Sequence, residues 1–331
     1  MELAIEAKGI TKKFGSKLAV SGIDLKVETG SIYAVLGPNG TGKTTLLRML
    51  ATQCRMDGGS ARIFGADVSS DPMAVRRMIG MTGQFATIDA KLTAMENLEI
   101  AGRLSGMSKA DALARADELL AQFSLSEARD LELSAFSGGM RRRLDLAASL
   151  MVRPRLIILD EPTTGLDPIT RQELWGVIRN LVANGSTVLL TTQYLEEADQ
   201  LADRIAVIQN GSLVAEGTPD QLKQLTGKAR LEVTLQSKGE LQAAIQVARE
   251  NSGTALTPLE GRYGFSMSAE DAAQQIALLS SIAKAGLNVE SFQVVKPTLD
   301  DVFVKLVQEN ENSKSSADAD NANATNNAQN N

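Results

Sequence analysis

The segment GPNGTGKT, residues 37–44, constrains the fold of this chain more than any other stretch, and we call it the phosphate loop. It matches the pattern G-x-x-x-x-G-K-[ST], in which glycines let backbone amides point inward around a phosphate chain. The apolar run SIYAVLG (31–37) leads into it, and KTTLLRMLA (43–51) continues as a predicted helix. This strand–loop–helix order favours an anion-binding loop over a glycine-rich turn with a chance lysine.

The residues of the phosphate loop have separate expected roles. Lys43 is expected to reach the β- and γ-phosphates and to take part in catalysis, and the Thr44 hydroxyl is expected to ligate Mg²⁺. The N-terminal dipole of the following helix strengthens the same anion site. The residues assigned to phosphate binding are Gly37, Pro38, Asn39, Gly40, Thr41, Gly42, Lys43, Thr44 and Thr45.

Composition restricts the acid–base chemistry that such a loop can serve. The chain has no histidine, so proton transfer must use carboxylates, water or the substrate. The run LIILDEP (156–162) places Asp160 and Glu161 at the C-terminal end of a predicted strand, where α/β sheets bind ligands. We expect Asp160 to hold Mg²⁺ through water and Glu161 to act as the general base. The alternative is an acidic pair that caps a helix after a buried strand.

A second predicted anion site lies in FSGGMRRRLDLAASL, which begins at Phe136. Ser137 and the two glycines after it precede a helix, so this helix N-terminus is exposed and flexible. Since the phosphate loop already wraps one face of a phosphate chain, the second site makes most sense if it serves another copy's nucleotide. A simple capped helix is the alternative, and these residues alone do not decide between the two. The run Arg141–Arg143 is compatible with a solvated helix face, and we assign it no catalytic role.

The residue pattern divides the chain into two predicted domains and a tail. Apolar runs alternate with helical stretches over residues 1–225, which predicts an α/β domain, and the segment at about 88–151 is mainly helical. Residues 226–311 alternate strands and helices again and predict a small second α/β domain. Within it we expect strands at 229–235, 263–267 and 289–295 and helices at 239–250, 269–285 and 299–309. Residues 312–331 contain no large apolar side chain, so we expect a disordered tail.

Charge and hydropathy exclude some classes of partner. The net charge of −6 and sequence pI of about 5.0 argue against a nucleic-acid binder. No run of about 18 apolar residues occurs, so we expect a soluble protein that does not itself span a membrane. The single cysteine, Cys54, weakly favours a reducing compartment.

In this order, GPNGTGKTT, SGGMRRRLDLA and LIILDEPTTGLDP resemble the Walker A, signature and Walker B plus D-loop motifs of ATP-binding-cassette (ABC) transporter subunits. The likeness covers about residues 3–220. It implies a P-loop NTPase cassette, with a mixed-sheet core and a helical subdomain, followed here by the small α/β accessory domain. It also implies that ATP and Mg²⁺ bind between two copies packed head to tail. A separate transmembrane permease would then place the chain on the cytoplasmic face of the cell membrane.

The resemblance also implies roles for residues outside the phosphate loop. Ser137, Gly138 and Gly139 would contact the γ-phosphate of the partner's nucleotide, and Asp167 of GLDP would couple the two sites. Gln84 would sense Mg²⁺ and the γ-phosphate, unless it is an ordinary loop glutamine. Phe14 would stack on adenine, unless it is a core residue.

Differences from the usual family pattern indicate which branch of the ABC family this chain resembles. Gln193 stands where most members carry a histidine that contacts the γ-phosphate, and an amide can donate a hydrogen bond there but cannot shuttle a proton. With glutamine, TTQYLEEADQLADRI is similar to the branch of daunorubicin/doxorubicin-resistance ATPases, as is FQVVKPTLDDVFVKL (292–306). Met140 and Phe136 also differ from the usual signature residues, glutamine and leucine.

The implied function is the ATP-hydrolysing subunit of an efflux transporter that exports a drug, an antibiotic or another amphipathic compound. One alternative is a soluble cassette ATPase acting on DNA or ribosomes, but such chains usually carry two cassettes or a coiled-coil insertion. Another is a regulatory module that binds ATP and barely hydrolyses it. Glu161 argues against this second alternative, whereas Gln193 leaves room for it.

Overall fold

The computed structural model describes residues 2–82, 88–226, 229–252, 256–259, 261–268 and 272–306. The chain divides into two compact units, Met1–Pro219 and Asp220–Asn331. The domain limits drawn from the sequence, including the helical subdomain at about 88–151, stay predictions. The predicted disordered tail lies outside the described residues.

The first half of the first unit contains most of its strands. In chain order its elements are β1 (Leu3–Phe14), β2 (Lys17–Glu28), β3 (Ile32–Leu36), α1 (Lys43–Leu50), β4 (Gly58–Ile63), β5 (Ala66–Asp67), α2 (Pro72–Met78) and β6 (Ile79–Thr82). The second half alternates helices with the remaining strands. These are α3 (Ala94–Leu104), α4 (Lys109–Gln122), α5 (Gly138–Ser149), β7 (Leu156–Asp160), α6 (Pro168–Ala183), β8 (Thr187–Thr192), α7 (Leu195–Leu201), β9 (Arg204–Gln209), β10 (Ser212–Gly217) and, where the two units divide, α8 (Pro219–Gln224).

A six-stranded sheet in the order β10-β9-β3-β8-β7-β6 forms the centre of the first unit within its described residues. Its neighbouring strands are parallel except for the antiparallel pair β10 and β9. Every residue of β3, β7 and β8 is buried, as expected for apolar runs covered on both faces. The strand predicted before the phosphate loop and the strand predicted to end at Asp160 are therefore confirmed.

The first unit also contains a separate antiparallel sheet in the order β2-β1-β4-β5. β1 and β2 each have 12 residues and form a hairpin in which Phe14 pairs with Lys17. β2 alternates buried and exposed residues over much of its length, so charged residues interrupt the apolar signal of one long strand. Leu46, Leu47 and Leu50 of α1 lie in the same core as residues of both sheets. This packing fixes α1, and with it the end of the phosphate loop.

Side-chain caps define where the helices of the predicted helical segment begin. Thr93 and Glu96 form a reciprocal capping box at α3, and Ser108 accepts a hydrogen bond at the start of α4. Ser137 accepts from the Met140 amide, 3.2 Å away, and so caps α5. α5 therefore begins immediately after Ser137.

The second unit contains a small antiparallel sheet with two helices packed on it. After α8 its elements are β11 (Arg230–Leu235), α9 (Lys238–Ser252), β12 (Leu256–Pro258), β13 (Gly264–Ser268), α10 (Ala272–Lys284), β14 (Val289–Val295) and helical residues 299–306. The strand order is β12-β13-β11-β14. Its core consists of Leu231, Val233, Leu235, Ala244, Ala248, Phe265, Met267, Leu278 and Ile282.

The predicted elements of this unit are confirmed, with shifts of a few residues at their ends and one omission. Helix α10 is described from Ala272, so the predicted start at 269 lies outside the described residues, as do residues 307–309 of the last predicted helix. Strand β12 was missed because three residues ending in a proline give no readable alternation. None of the described helices is long and apolar enough to cross a membrane.

Candidate nucleotide site

The phosphate loop runs from the end of β3 into α1 along a path that requires glycine. Gly42 has φ of +104°, and a Cβ atom there would lie 2.2 Å from the Ala19 carbonyl oxygen. Gly42 is also the N-cap residue of α1, so the loop ends at a helix N-terminus whose amides face outward. The sequence prediction of an anion cradle agrees with this geometry.

Lys43 lies almost entirely inside the loop that it is expected to serve. Its side chain is 4% exposed, and its ammonium donates to the carbonyl oxygens of Gly37 at 2.7 Å and Pro38 at 2.9 Å. The carboxylate of Glu161 lies 3.4 Å from the same ammonium. The loop lysine and the expected general base therefore form an ion pair.

Asp160 joins the phosphate loop to the centre of the sheet. Its Oδ1 accepts hydrogen bonds from the Thr44 hydroxyl at 3.1 Å and the Thr191 hydroxyl at 2.7 Å. Asp160 is 2% exposed, so these bonds replace hydration that the carboxylate loses on burial. A hydroxyl and a carboxylate side by side fit Mg²⁺, which usually takes one or two protein oxygens and completes its shell with water and phosphate. Among the described residues, no cluster of three or more Asp, Glu, His or Cys offers a closed metal cage instead.

Glu161 occupies a backbone conformation that few non-glycine residues adopt. Its φ is +49°, which is strained for a residue with a side chain. Its amide donates to both oxygens of Thr191, the hydroxyl at 3.0 Å and the carbonyl at 3.2 Å. The hydroxyl of Thr164 donates to its Oε2 at 3.3 Å, and Glu161 is 7% exposed. This turn directs the carboxylate toward Lys43.

Two neighbouring cavities share Asn39 and Glu161. One, of about 380 Å³, is lined by Phe14 and several residues of the phosphate loop, including Gly42, Lys43 and Thr44. The other, of about 610 Å³, is lined by Gly138, Glu161 and Gln193. The structure thus brings together residues predicted from five separate stretches of sequence.

Phe14 is exposed, and the alternative of a core phenylalanine is wrong. Its relative exposure is 54%, and it lies at the end of β1 beside the first cavity. The ammonium of Lys12 lies 5.5 Å from the ring centroid, within the range of a cation–π contact. An exposed ring beside a phosphate loop can stack on a base.

The signature segment, Ser137–Gly139, has one open glycine and one closely packed glycine. A Cβ atom on Gly138 would meet nothing within 4 Å, so its backbone is free to approach a ligand. A Cβ atom on Gly139 would lie 2.3 Å from Cγ2 of Thr170, at the start of α6. The second glycine therefore serves the packing of α5 against α6.

Asp167 does not line either of the two cavities. Asp167 caps α6, where its carboxylate accepts from the amides of Ile169 and Thr170, and these hydrogen bonds, chiefly that from Thr170, lower its pKa. Its predicted coupling role stays a prediction. Gln84 lies outside the described residues, so the structure says nothing of its place.

The structure corrects the interpretation of the arginine run at Arg142 and at Arg143, which is only 17% exposed at its side chain and pairs with Glu173. Arg142 is only 15% exposed at its side chain and donates to backbone carbonyls at the end of β7, so it does not belong to a solvated face. Arg142 lies three residues after the buried Gly139 and four before the buried Leu146. This spacing on a helix was the signal that could have identified it.

A buried carboxylate that sequence reasoning missed lies behind the site. Oε1 of Glu197 accepts from the Thr163 hydroxyl at 2.8 Å and the Trp175 indole at 3.1 Å. Glu197 is fully buried, and the loss of hydration raises its pKa. Its contacts tie α7 to α6 and to the turn that follows Glu161.

Comparisons with known proteins agree with this geometry. Residues 20–164 match the family model described as ABC transporter, and residues 217–307 match the C-terminal domain of DrrA1-3-like ATP-binding proteins. The daunorubicin/doxorubicin resistance ATP-binding protein DrrA of Streptomyces peucetius is 48% identical over 312 residues, which cover 92% of each chain.

Solved structures show the same fold over the first unit. An ATP-binding cassette of an ABC transporter in its ADP conformation is 25% identical, with a TM-score of 0.61, over 67% of this chain and 93% of that one. A dimeric cassette in a post-hydrolysis state, bound to ADP and phosphate, is 26% identical, with a TM-score of 0.59, over 65% and 98%. The predicted fold class is confirmed.

We expect Gly139→Ala to lower thermal stability, because the added methyl group overlaps the Thr170 side chain. Overpacking of this kind costs about 1–3 kcal/mol. Gly138→Ala is the matched control and should leave the melting temperature unchanged, since its methyl group meets open space. Scanning calorimetry of the two variants checks this, and equal melting temperatures would contradict the packing role of Gly139.

We expect Glu197→Gln to change how stability depends on pH. Because the folded-state pKa of Glu197 is raised, its contribution to stability is largest below the ordinary value of 4.5 and falls as the pH increases above it. The amide cannot ionise and still accepts both hydrogen bonds, so the variant should gain stability relative to the wild type between about pH 5 and pH 8. Melting temperatures across this range test it. Glu196→Gln, a change at an exposed neighbouring residue, is the control. A melting-temperature difference between Glu197→Gln and the wild type that stays the same across this pH range would contradict the expectation.

Proposed function

This chain belongs to the family of ABC transporter ATP-binding subunits, and from that membership we propose that it hydrolyses ATP to drive an efflux transporter. The observation that carries the proposal is the convergence of Lys43, Thr44, Asp160 and Glu161 at one edge of the sheet. Each of these side chains suits a step in phosphoryl transfer to water.

Binding would begin at the phosphate loop. The amides at the start of α1 and the ammonium of Lys43 would take the phosphates, and Phe14 would stack on the adenine ring. Thr44 and Asp160 would hold Mg²⁺, with Gln84 as a further ligand. When bound, Mg²⁺ would neutralise charge on the β- and γ-phosphates.

Hydrolysis would depend on the partner that Lys43 takes. Its ammonium now lies between two loop carbonyls and the Glu161 carboxylate. A γ-phosphate in the loop would compete for the same ammonium and release Glu161 to hold a water molecule. Glu161 would then accept a proton from that water as its oxygen attacks the γ-phosphorus, the bond to the β–γ bridging oxygen breaks and ADP leaves. Gln193, beside the same cavity, would donate a hydrogen bond to a phosphate oxygen.

A second copy of the chain would complete the site. The open backbone of Gly138 and the capped N-terminus of α5 would contact the γ-phosphate of the partner's nucleotide. Asp167 would couple the two sites across the interface. The related cassette solved as a dimer with ADP and phosphate supports this arrangement.

Export would require a separate membrane permease. Ile100 and Leu104 of α3 are 45% and 85% exposed, and such apolar side chains on one helix support docking to another protein. This chain would then lie at the cytoplasmic face of the cell membrane. The cargo would be a drug, an antibiotic or another amphipathic compound, as the name of the Streptomyces peucetius relative suggests. The acidic net charge gives no support to a nucleic-acid partner.

We expect Glu161→Gln to abolish ATP turnover while ATP still binds and dimers accumulate. Loss of a general base lowers the rate by about 100-fold or more, and the amide keeps the shape of the side chain. Phosphate release measures turnover, and light scattering with and without ATP measures dimers. Glu28→Gln, exposed at the far end of β2, is the control. Unchanged hydrolysis would remove Glu161 from its role.

We expect Gln193→Ala to slow hydrolysis much more than it weakens ADP binding. A donor to the γ-phosphate acts only when that phosphate is present, so the rate should fall by about tenfold or more. Steady-state kinetics and calorimetric titration with ADP separate the two effects. Gln200→Ala, an exposed change on α7, serves as the control. Equal losses of rate and of ADP affinity would indicate a structural role instead.

A further inference from the structure

Arg142 lies in the first turns of α5 and contacts the segment that carries Glu161. Its Nε donates to the Pro162 carbonyl at 2.8 Å, and its Nη2 donates to the carbonyls of Asp160 at 3.1 Å and Glu161 at 3.2 Å. One guanidinium therefore donates hydrogen bonds to the carbonyl oxygens of three successive residues. The group is largely buried, with a side-chain exposure of 15%.

Three successive carbonyls can meet one guanidinium here because the strand turns at Glu161. Its φ of +49° breaks the extended course of β7. That conformation persists only where surrounding contacts fix it. The amide side of Glu161 is fixed by Thr191, and the carbonyl side by Arg142.

Only arginine offers the geometry for this contact. Its planar fork presents donors in several fixed directions, whereas a lysine ammonium is a compact point charge on a flexible chain. The carboxylate of Asp145 lies 3.7 Å from Nη1 and compensates the buried positive charge. The guanidinium is thus held by backbone carbonyls on one side and by the Asp145 carboxylate on the other.

We propose that Arg142 is a positioning residue for the general base, and that it couples the signature segment to Glu161 of the same chain. The inference rests on the proposed function. Ser137 and Gly138 at the start of α5 would contact the partner's nucleotide, while Arg142, about one turn further along, fixes the backbone of Glu161. A nucleotide seated in one site of the dimer would thereby align the base in the other.

The test compares Arg142→Gln and Arg142→Lys with Arg143→Gln in the full-length chain. Arg143 lies on the same helix at 17% exposure and pairs with Glu173, so it controls for loss of a guanidinium from α5. We expect Arg142→Gln to lower kcat by about tenfold or more, with KM and the Kd for ATP changed less than about twofold. Arg142→Lys should recover part of kcat, and Arg143→Gln should keep it. Equal loss in the glutamine variants at 142 and 143 would overturn the proposal.

A double-mutant cycle separates positioning from general destabilisation. If Arg142 acts through Glu161, then Arg142→Gln should change the residual rate of the Glu161→Gln variant less than about twofold. Independent, multiplying effects would overturn the inference. If Arg142→Gln fails to fold, the same cycle with Arg142→Lys decides. A wild-type chain without ATPase activity would overturn the proposed function as well, whereas an active wild type with full kcat in both Arg142 variants would overturn only this inference.

Discussion

The buried carboxylate of Asp160 is the point on which the site depends. Two hydroxyls, from Thr44 on the helix after the phosphate loop and from Thr191 on the neighbouring strand, donate to the same oxygen. A buried carboxylate without such partners would be costly, so the three elements must stay in register. The parallel pairing of Asp160 with Thr191 and of Leu36 with Thr192 supplies that register. The pairing of strands in the central sheet therefore sets the distances between Asp160, Thr44 and Thr191.

The sequence predicted the parts of this arrangement that leave a local signal. The phosphate loop, the strand before Asp160 and most elements of the second unit follow from glycine spacing and apolar runs. The long hairpin β1–β2 was not foreseen at its full length, because its pattern alternates with charged residues. Glycine spacing and continuous apolar runs can be recognised in a single sequence. The ends of a long strand whose apolar residues alternate with charged ones cannot be recognised in the same way.

The features of the site that the sequence did not predict depend on contacts between residues far apart in the sequence. Arg142 and Glu197 are charged residues of a kind usually found at the surface, yet both are largely or fully buried against residues 18 to 34 positions away. The residues close to Arg142 or Glu197 in sequence do not indicate which distant residues each side chain contacts. Helical spacing alone could have indicated the inward direction of Arg142, but not the carbonyl groups it contacts. Tertiary contacts of this kind become visible only when the fold is known.

The contact between Gly139 and Thr170 brings the starts of α5 and α6 directly together. Thr170 lies against the signature segment, and its hydroxyl and amide are both held by Asp167. The start of α5 therefore meets the start of α6 with no side chain of Gly139 between them. A single missing side chain, at Gly139, lets the signature segment lie directly against the residue that Asp167 holds.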